Sequence, residues 1–105
     1  MPITVLLVDD HNIIRKGIRA LLEKGTDFQI VGEANSGEKA LALVQQAQPD
    51  VMVLDVVMPG IDGLEVLRQM QKIQSPTRVV ILTGYPDEAY VIDAMKNGAY
   101  GYVLK

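Results

Sequence analysis

The sequence predicts an α/β domain built on a parallel sheet, and three observations predict it. Short, strongly apolar runs alternate with stretches whose apolar residues recur at helical spacing. Turn-forming residues separate the two kinds of segment, so strand and helix succeed each other along the chain. The runs themselves are apolar nearly throughout, which is the pattern of strands buried on both faces. Right-handed crossovers between such strands put helices on both sides of the sheet.

ITVLLV, from Ile3 to Val8, reads as the first buried strand. Ile14, Ile18, Leu21 and Leu22 then recur at helical spacing until Gly25 stops the pattern. FQIVGEA, from Phe28 to Ala34, is a second and weaker strand. Ser36 supplies an N-cap for a helix that carries Ala40, Leu41, Val44 and Ala47 inward, and Pro49 closes it. VMVLD, from Val51 to Asp55, is the third strand. After the loop MPGI, Asp62 and Glu65 have the spacing of a capping box with Asp as the cap, and Leu64, Leu67 and Ile73 mark the helix behind it. RVVILT, from Arg78 to Thr83, is the fourth strand. Pro86, Asp87 and Glu88 suit a helix start, because proline is tolerated in the first turn and acids favour that end of the helix dipole. Asn97 and Gly98 end that helix, and YGYVLK, from Tyr100 to Lys105, is the fifth strand. A sheet covered on both faces needs a fifth helix after it. The expectation is therefore a domain truncated after its fifth strand, or the N-terminal piece of something longer.

With 105 residues, 49% of them hydrophobic, the chain suits one domain with a substantial core and leaves no room for two. The absence of cysteine rules out a disulfide framework or a thiolate metal site, and a cytoplasmic location is the expectation. MPITVLLVDD lacks the basic start and cleavage site of a signal peptide, and no apolar run approaches the about 20 residues of a membrane span. A net charge of -3, with lysines and arginines scattered singly, argues against this domain gripping nucleic acid by itself.

The functional pattern is positional. Asp9 and Asp10 follow ITVLLV, Asp55 follows VMVL, Thr83 follows VVIL and Lys105 follows YVL. In a parallel sheet those C-terminal strand ends share one edge, where open α/β sheets bind ligands. Three carboxylates brought together repel, and a proton or a cation must relieve them. Only oxygen ligands are on offer, with no cysteine or histidine cluster, so magnesium is the expected ion. A carboxylate beside it can attack phosphorus to give an acyl phosphate, while Thr83 and Lys105 are groups suited to hold phosphoryl oxygens. Taken singly, Asp9 and Asp10 also read as helix caps, Thr83 as a strand residue and Lys105 as a solvated end. His11, the sole histidine, reads as a solvent-facing first-turn residue to which nothing supplies a partner ligand.

The DD pair, DVVMPG, the LTG threonine and the GYVLK lysine together resemble the receiver domain of bacterial two-component response regulators. DDHNIIRKGIRALLE and GAYGYVLK resemble the subfamily whose receivers precede a LuxR/NarL-type helix-turn-helix domain. The resemblance implies a flavodoxin-like (CheY-like) doubly wound sheet with strand order 2-1-3-4-5, and a Mg2+-dependent switch phosphorylated on Asp55 by a sensor histidine kinase. Its chemistry would be confined to its own phosphorylation and dephosphorylation, and its output would be transcription control by a DNA-binding domain. Asp9, Asp10, Asp55 and the backbone carbonyl of Val57 would hold the metal, Thr83 and Lys105 the phosphoryl group, and Tyr102 would be the switch aromatic. Self-association through surface left by the missing helix is a further expectation. Two other readings stand beside it: a haloacid-dehalogenase-like phosphatase, whose nucleophile lies in a DxD after the first strand, and an FMN-binding module, whose phosphate the acidic DDHNII loop should repel.

Overall fold

The computed structural model describes residues 2–55, 60–83 and 88–104. They form β1 (Ile3–Val8), α1 (Asn12–Leu22), β2 (Phe28–Ala34), α2 (Gly37–Ala47), β3 (Val51–Asp55), α3 (Gly63–Lys72), β4 (Arg78–Thr83), α4 (Glu88–Lys96) and β5 (Gly101–Leu104). The five strands make one sheet in the order β2-β1-β3-β4-β5, and every neighbouring pair is parallel. The expected fold class and strand order are therefore those observed.

Alternation along the strands divides the apolar residues between two faces. Leu6, Val8, Met52, Leu54, Val79 and Ile81 point into the main core, which α2 meets with Ala40 and Val44, α3 with Leu64, Val66, Leu67 and Met70, and α4 with Ala94. α2 and α3 are capped at their starts. Ser36 Oγ accepts the Lys39 N–H at 3.3 Å, and Asp62 Oδ1 accepts the Glu65 N–H at 3.0 Å.

The opposite face is less fully covered. Val5 and Leu7 are buried there, but Val53, Val80 and Leu82 are only half-buried and Val103 is exposed. α1 contributes nothing to the main core and has no fully buried residue. Its attachment leans on Glu33 of β2, whose carboxylate receives Arg15 Nε at 3.1 Å and Arg19 Nε at 2.9 Å. Paired charges this exposed stabilise by only about 0–1 kcal/mol each.

Several residues depart from the sequence expectations. Leu21 is exposed on α1, which has no fully buried residue, and Ala47 is exposed at the last residue of α2. Ile73 is the C-cap of α3, past its last turn, and lies half in solvent. Tyr100 precedes β5 instead of starting it, and the Arg78 guanidinium lies 5.1 Å from the centre of its ring. Pro86 and Asp87 lie outside the described residues.

The strands end in register. Val8 pairs with both Ala34 and Leu54, Asp55 with Leu82, and Thr83 with Leu104, so their C-terminal ends line one edge. At the other edge Thr4 and Asp50 tie β1 to the start of β3. The Thr4 N–H and hydroxyl donate to Asp50 Oδ2 at 2.9 and 3.1 Å, and the Asp50 N–H donates to Thr4 Oγ1 at 2.8 Å. Beside them the Thr77 hydroxyl donates to the Pro49 carbonyl at 2.7 Å.

Candidate cation site at the strand edge

Asp9 extends the β1 pairing by one residue, its N–H donating to the Ala34 carbonyl at 3.1 Å. The chain then turns, with Asp9 Oδ1 accepting the His11 N–H at 2.8 Å, and α1 begins. The Arg15 side chain comes back from that helix and donates to the Asp9 carbonyl and to Asn12 Oδ1. Asp9 is thus held by both of its neighbouring elements, with its carboxylate at the strand edge instead of at a helix cap. The N-cap of α1 is His11, which makes no side-chain capping bond.

Asp9 and Asp55 are each only 3% exposed, and Asp10 is half-buried. Ligand atoms of Asp9, Asp10, His11 and Asp55 all lie within 4.8 Å of one another. Asp10 Oδ1 is buried and has no hydrogen-bond partner among the described residues; His11 Nδ1 lies 3.1 Å from it in a geometry that makes no hydrogen bond. Three carboxylates packed this closely fit a hard divalent cation, which satisfies several oxygens at once where a single donor cannot. The donor chemistry therefore agrees with the ion expected from sequence.

The structure brings the carboxylates of Asp9, Asp10 and Asp55 together at one edge. Thr83 ends β4, one residue beyond the partner of Asp55. Tyr102 pairs with Ile81 and is half-buried against the main core. Val57 and Lys105 lie outside the described residues.

Three further residues belong to this edge: the sequence reading passed over Arg15 and Tyr90 and took His11 for a solvent-facing residue to which nothing supplies a partner ligand. His11 is exposed as expected, with its side chain 59% accessible, yet it is not without partners: Nδ1 lies 2.8 Å from Asp9 Oδ1, 3.1 Å from Asp10 Oδ1 and 3.7 Å from Asp55 Oδ2. Its signal was its place directly after the acidic pair, before the helix has turned it away. Arg15 follows one helical turn later, the spacing that returns a side chain toward the strand end. Tyr90 of α4 packs half-buried against the core, and burial, reinforced by the charge of Asp62, pushes its hydroxyl up to about 12; Asp55 adds a smaller push in the same direction.

The segment between β3 and α3 is anchored at its far end by Glu38. Its carboxylate accepts the Ile61 N–H at 3.2 Å, and bonds from backbone N–H groups hold it below the usual carboxylate range. Gly60 has φ +80, a backbone conformation that favours glycine, and Glu38 Oε1 would lie 2.7 Å from a Cβ there.

Comparison with known proteins agrees with this arrangement. The family model for the response regulator receiver domain matches residues 5–105. The nitrate/nitrite response regulator NarL of Escherichia coli K12 is 39% identical over 99% of this chain and 48% of its own length. The chain thus spans about half the length of the curated relatives it matches. Among solved structures, a LuxR-family two-component response regulator from Aurantimonas sp. SI85-9A1 superposes with a TM-score of 0.94 at 34% identity, covering 100% of this chain and 75% of that one. The CheX-CheY-BeF3-Mg complex from Borrelia burgdorferi gives 0.91 at 27% identity, covering 100% and 79%.

Proposed function

The chain belongs to the response regulator receiver domain family, of the kind carried by NarL- and LuxR-type regulators, and on that premise we propose that it is a switch thrown by phosphorylation of Asp55. The observation that carries this reading is the convergence of buried Asp55 with Asp9 and Asp10 at the strand edge, within 4.8 Å.

A phosphohistidine on a sensor kinase is the donor. A carboxylate oxygen of Asp55 forms the new P–O bond as the P–N bond breaks, the electron pair returns to the leaving imidazole, and an acyl phosphate remains on Asp55. Mg2+, when bound, would supply positive charge that offsets the carboxylates and the phosphoryl oxygens together. Asp9, Asp10 and Asp55, with the Val57 carbonyl, would hold it, and its presence with BeF3 in the Borrelia complex supports this choice of ion. Thr83 and Lys105 hold the phosphoryl oxygens. When Thr83 shifts toward them, Tyr102 follows, a change of population between two packings. The output is control of transcription in the cytoplasm by a DNA-binding region outside this chain; this domain itself binds no nucleic acid. The phosphatase and flavin readings are set aside because the receiver family model runs through residues 5–105, with the acidic pair directly after β1 and Asp55 at the end of β3.

Mass spectrometry after incubation with acetyl phosphate and Mg2+ tests the reading. One phosphoryl adduct is expected, lost in Asp55→Ala and lost without Mg2+. An adduct that persists in Asp55→Ala, or repeated turnover of a phosphate ester abolished by Asp9→Asn, refutes it.

A further inference from the structure

The most unusual group at the acidic edge is the imidazole of His11. As N-cap of α1 it has extended backbone, φ -96 and ψ 109, and its side chain caps nothing. The ring lies back over the strand ends, where Nδ1 is hydrogen-bonded with Asp9 Oδ1 at 2.8 Å and stands 3.1 and 3.7 Å from Asp10 Oδ1 and Asp55 Oδ2.

Those spacings have a meaning in coordination chemistry. Neighbouring ligands of an octahedral ion with bonds of about 2.1 Å lie √2 times that apart, about 3.0 Å. Nδ1 therefore stands from Asp9 and Asp10 at about the separation of adjacent ligands on one metal, and somewhat farther from Asp55. The set offers three oxygens and one nitrogen. Mg2+ gains little from nitrogen, whereas imidazole is a favoured ligand of Ni2+ and Zn2+.

We infer that His11 is a fourth protein ligand of this site for borderline transition ions, so that the site binds Ni2+ or Zn2+ through His11 and the aspartates but Mg2+ through oxygens alone. The inference rests on the reading of the acidic cluster as the cation site and adds to it the residue that sets which cations it takes. It would make the switch's response depend on which divalent ion is available, since a tightly held transition ion occupies the place that Mg2+ needs.

The test uses the untagged chain, calorimetric titration with Ni2+, Zn2+ and Mg2+, and the ring nitrogen resonances of a 15N-labelled sample. Because His11 is the sole histidine, its imidazole signal is unambiguous. Ni2+ and Zn2+ are expected to bind more tightly than Mg2+, and His11→Ala to weaken both by about tenfold or more while leaving Mg2+ affinity within about threefold. Zn2+ should shift the His11 Nδ1 resonance by far more than Mg2+ does. Undiminished Zn2+ affinity in His11→Ala, or an equal loss for Mg2+ and Zn2+, overturns the role of His11 while leaving the cation site intact. If Mg2+ does not bind the wild type, or binds Asp10→Asn equally well, the cation-site reading fails and this inference with it.

Discussion

Gly37 and Gly17 should respond in opposite directions to the same substitution. Gly37 is the first residue of α2, buried where that helix meets α3. A Cβ there would lie 2.5 Å from Ile61 Cγ1 and 2.8 Å from Val66 Cγ2. Unstrained carbon contacts fall at about 3.5–4.0 Å, so alanine needs roughly 1 Å of room. Val66 is fully buried and cannot yield it; Ile61 is half-buried and yields part. Overpacking of this kind costs about 1–3 kcal/mol, against which the better helix propensity of alanine returns at most about 1 kcal/mol. The expected net loss is roughly 1–2 kcal/mol, a fall in Tm of roughly 5–15 °C for a domain of this size. Gly17 sits mid-helix in α1 with nothing within 4 Å of a built Cβ, so Gly17→Ala should gain about 0.5–1 kcal/mol. Urea melts of both variants, with the slope checked for constancy, measure the pair. A Gly37→Ala chain as stable as wild type, or two shifts of the same sign, would refute the packing account.

Tyr90 should titrate near pH 12 in absorbance at 295 nm; its folded value lies above the ordinary 10.0, so the stability it confers is complete below pH 10 and disappears as pH rises toward 12. Tyr90→Phe should flatten that alkaline loss, and an unchanged profile would contradict the burial effect. Asp50 is lowered from its ordinary 3.8, mainly by the Thr4 N–H and then by its hydroxyl, so its contribution is present above that pH and lost as pH falls through the lower folded value. Acid unfolding of Asp50→Asn should show a shallower dependence below pH 4, detectable by circular dichroism. A longer chain that adds one helix over Val53, Val80 and Leu82 should have a higher denaturation midpoint, and equal midpoints would count against that face needing a cover.

The strand edge was legible because its signals are local: four strands each run straight into Asp, Thr or Lys, and parallel order does the rest. Ser36 and Asp62 were legible as caps for the same reason. His11 and Arg15 were not, since their roles depend on how far α1 rotates relative to β1, which no spacing within either element specifies. Leu21 misled because a helical stripe predicts a buried face without saying how much sheet lies beneath it. Tyr90 escaped notice because its environment is assembled from α3, α4 and the end of β3.

The Thr4–Asp50 and Thr77–Pro49 bonds join the strand starts at the edge away from Asp55. A five-residue strand separates the two edges by roughly 15 Å, beyond the about 7–10 Å over which substitutions usually influence one another. Mutational drift can therefore act on each edge separately. Stabilising changes among the strand starts can accumulate without altering cation preference, and they leave the chain tolerant of costly exchanges among its clustered aspartates. In such a protein, the room for new signalling behaviour at one end of the sheet depends on how firmly the other end is joined.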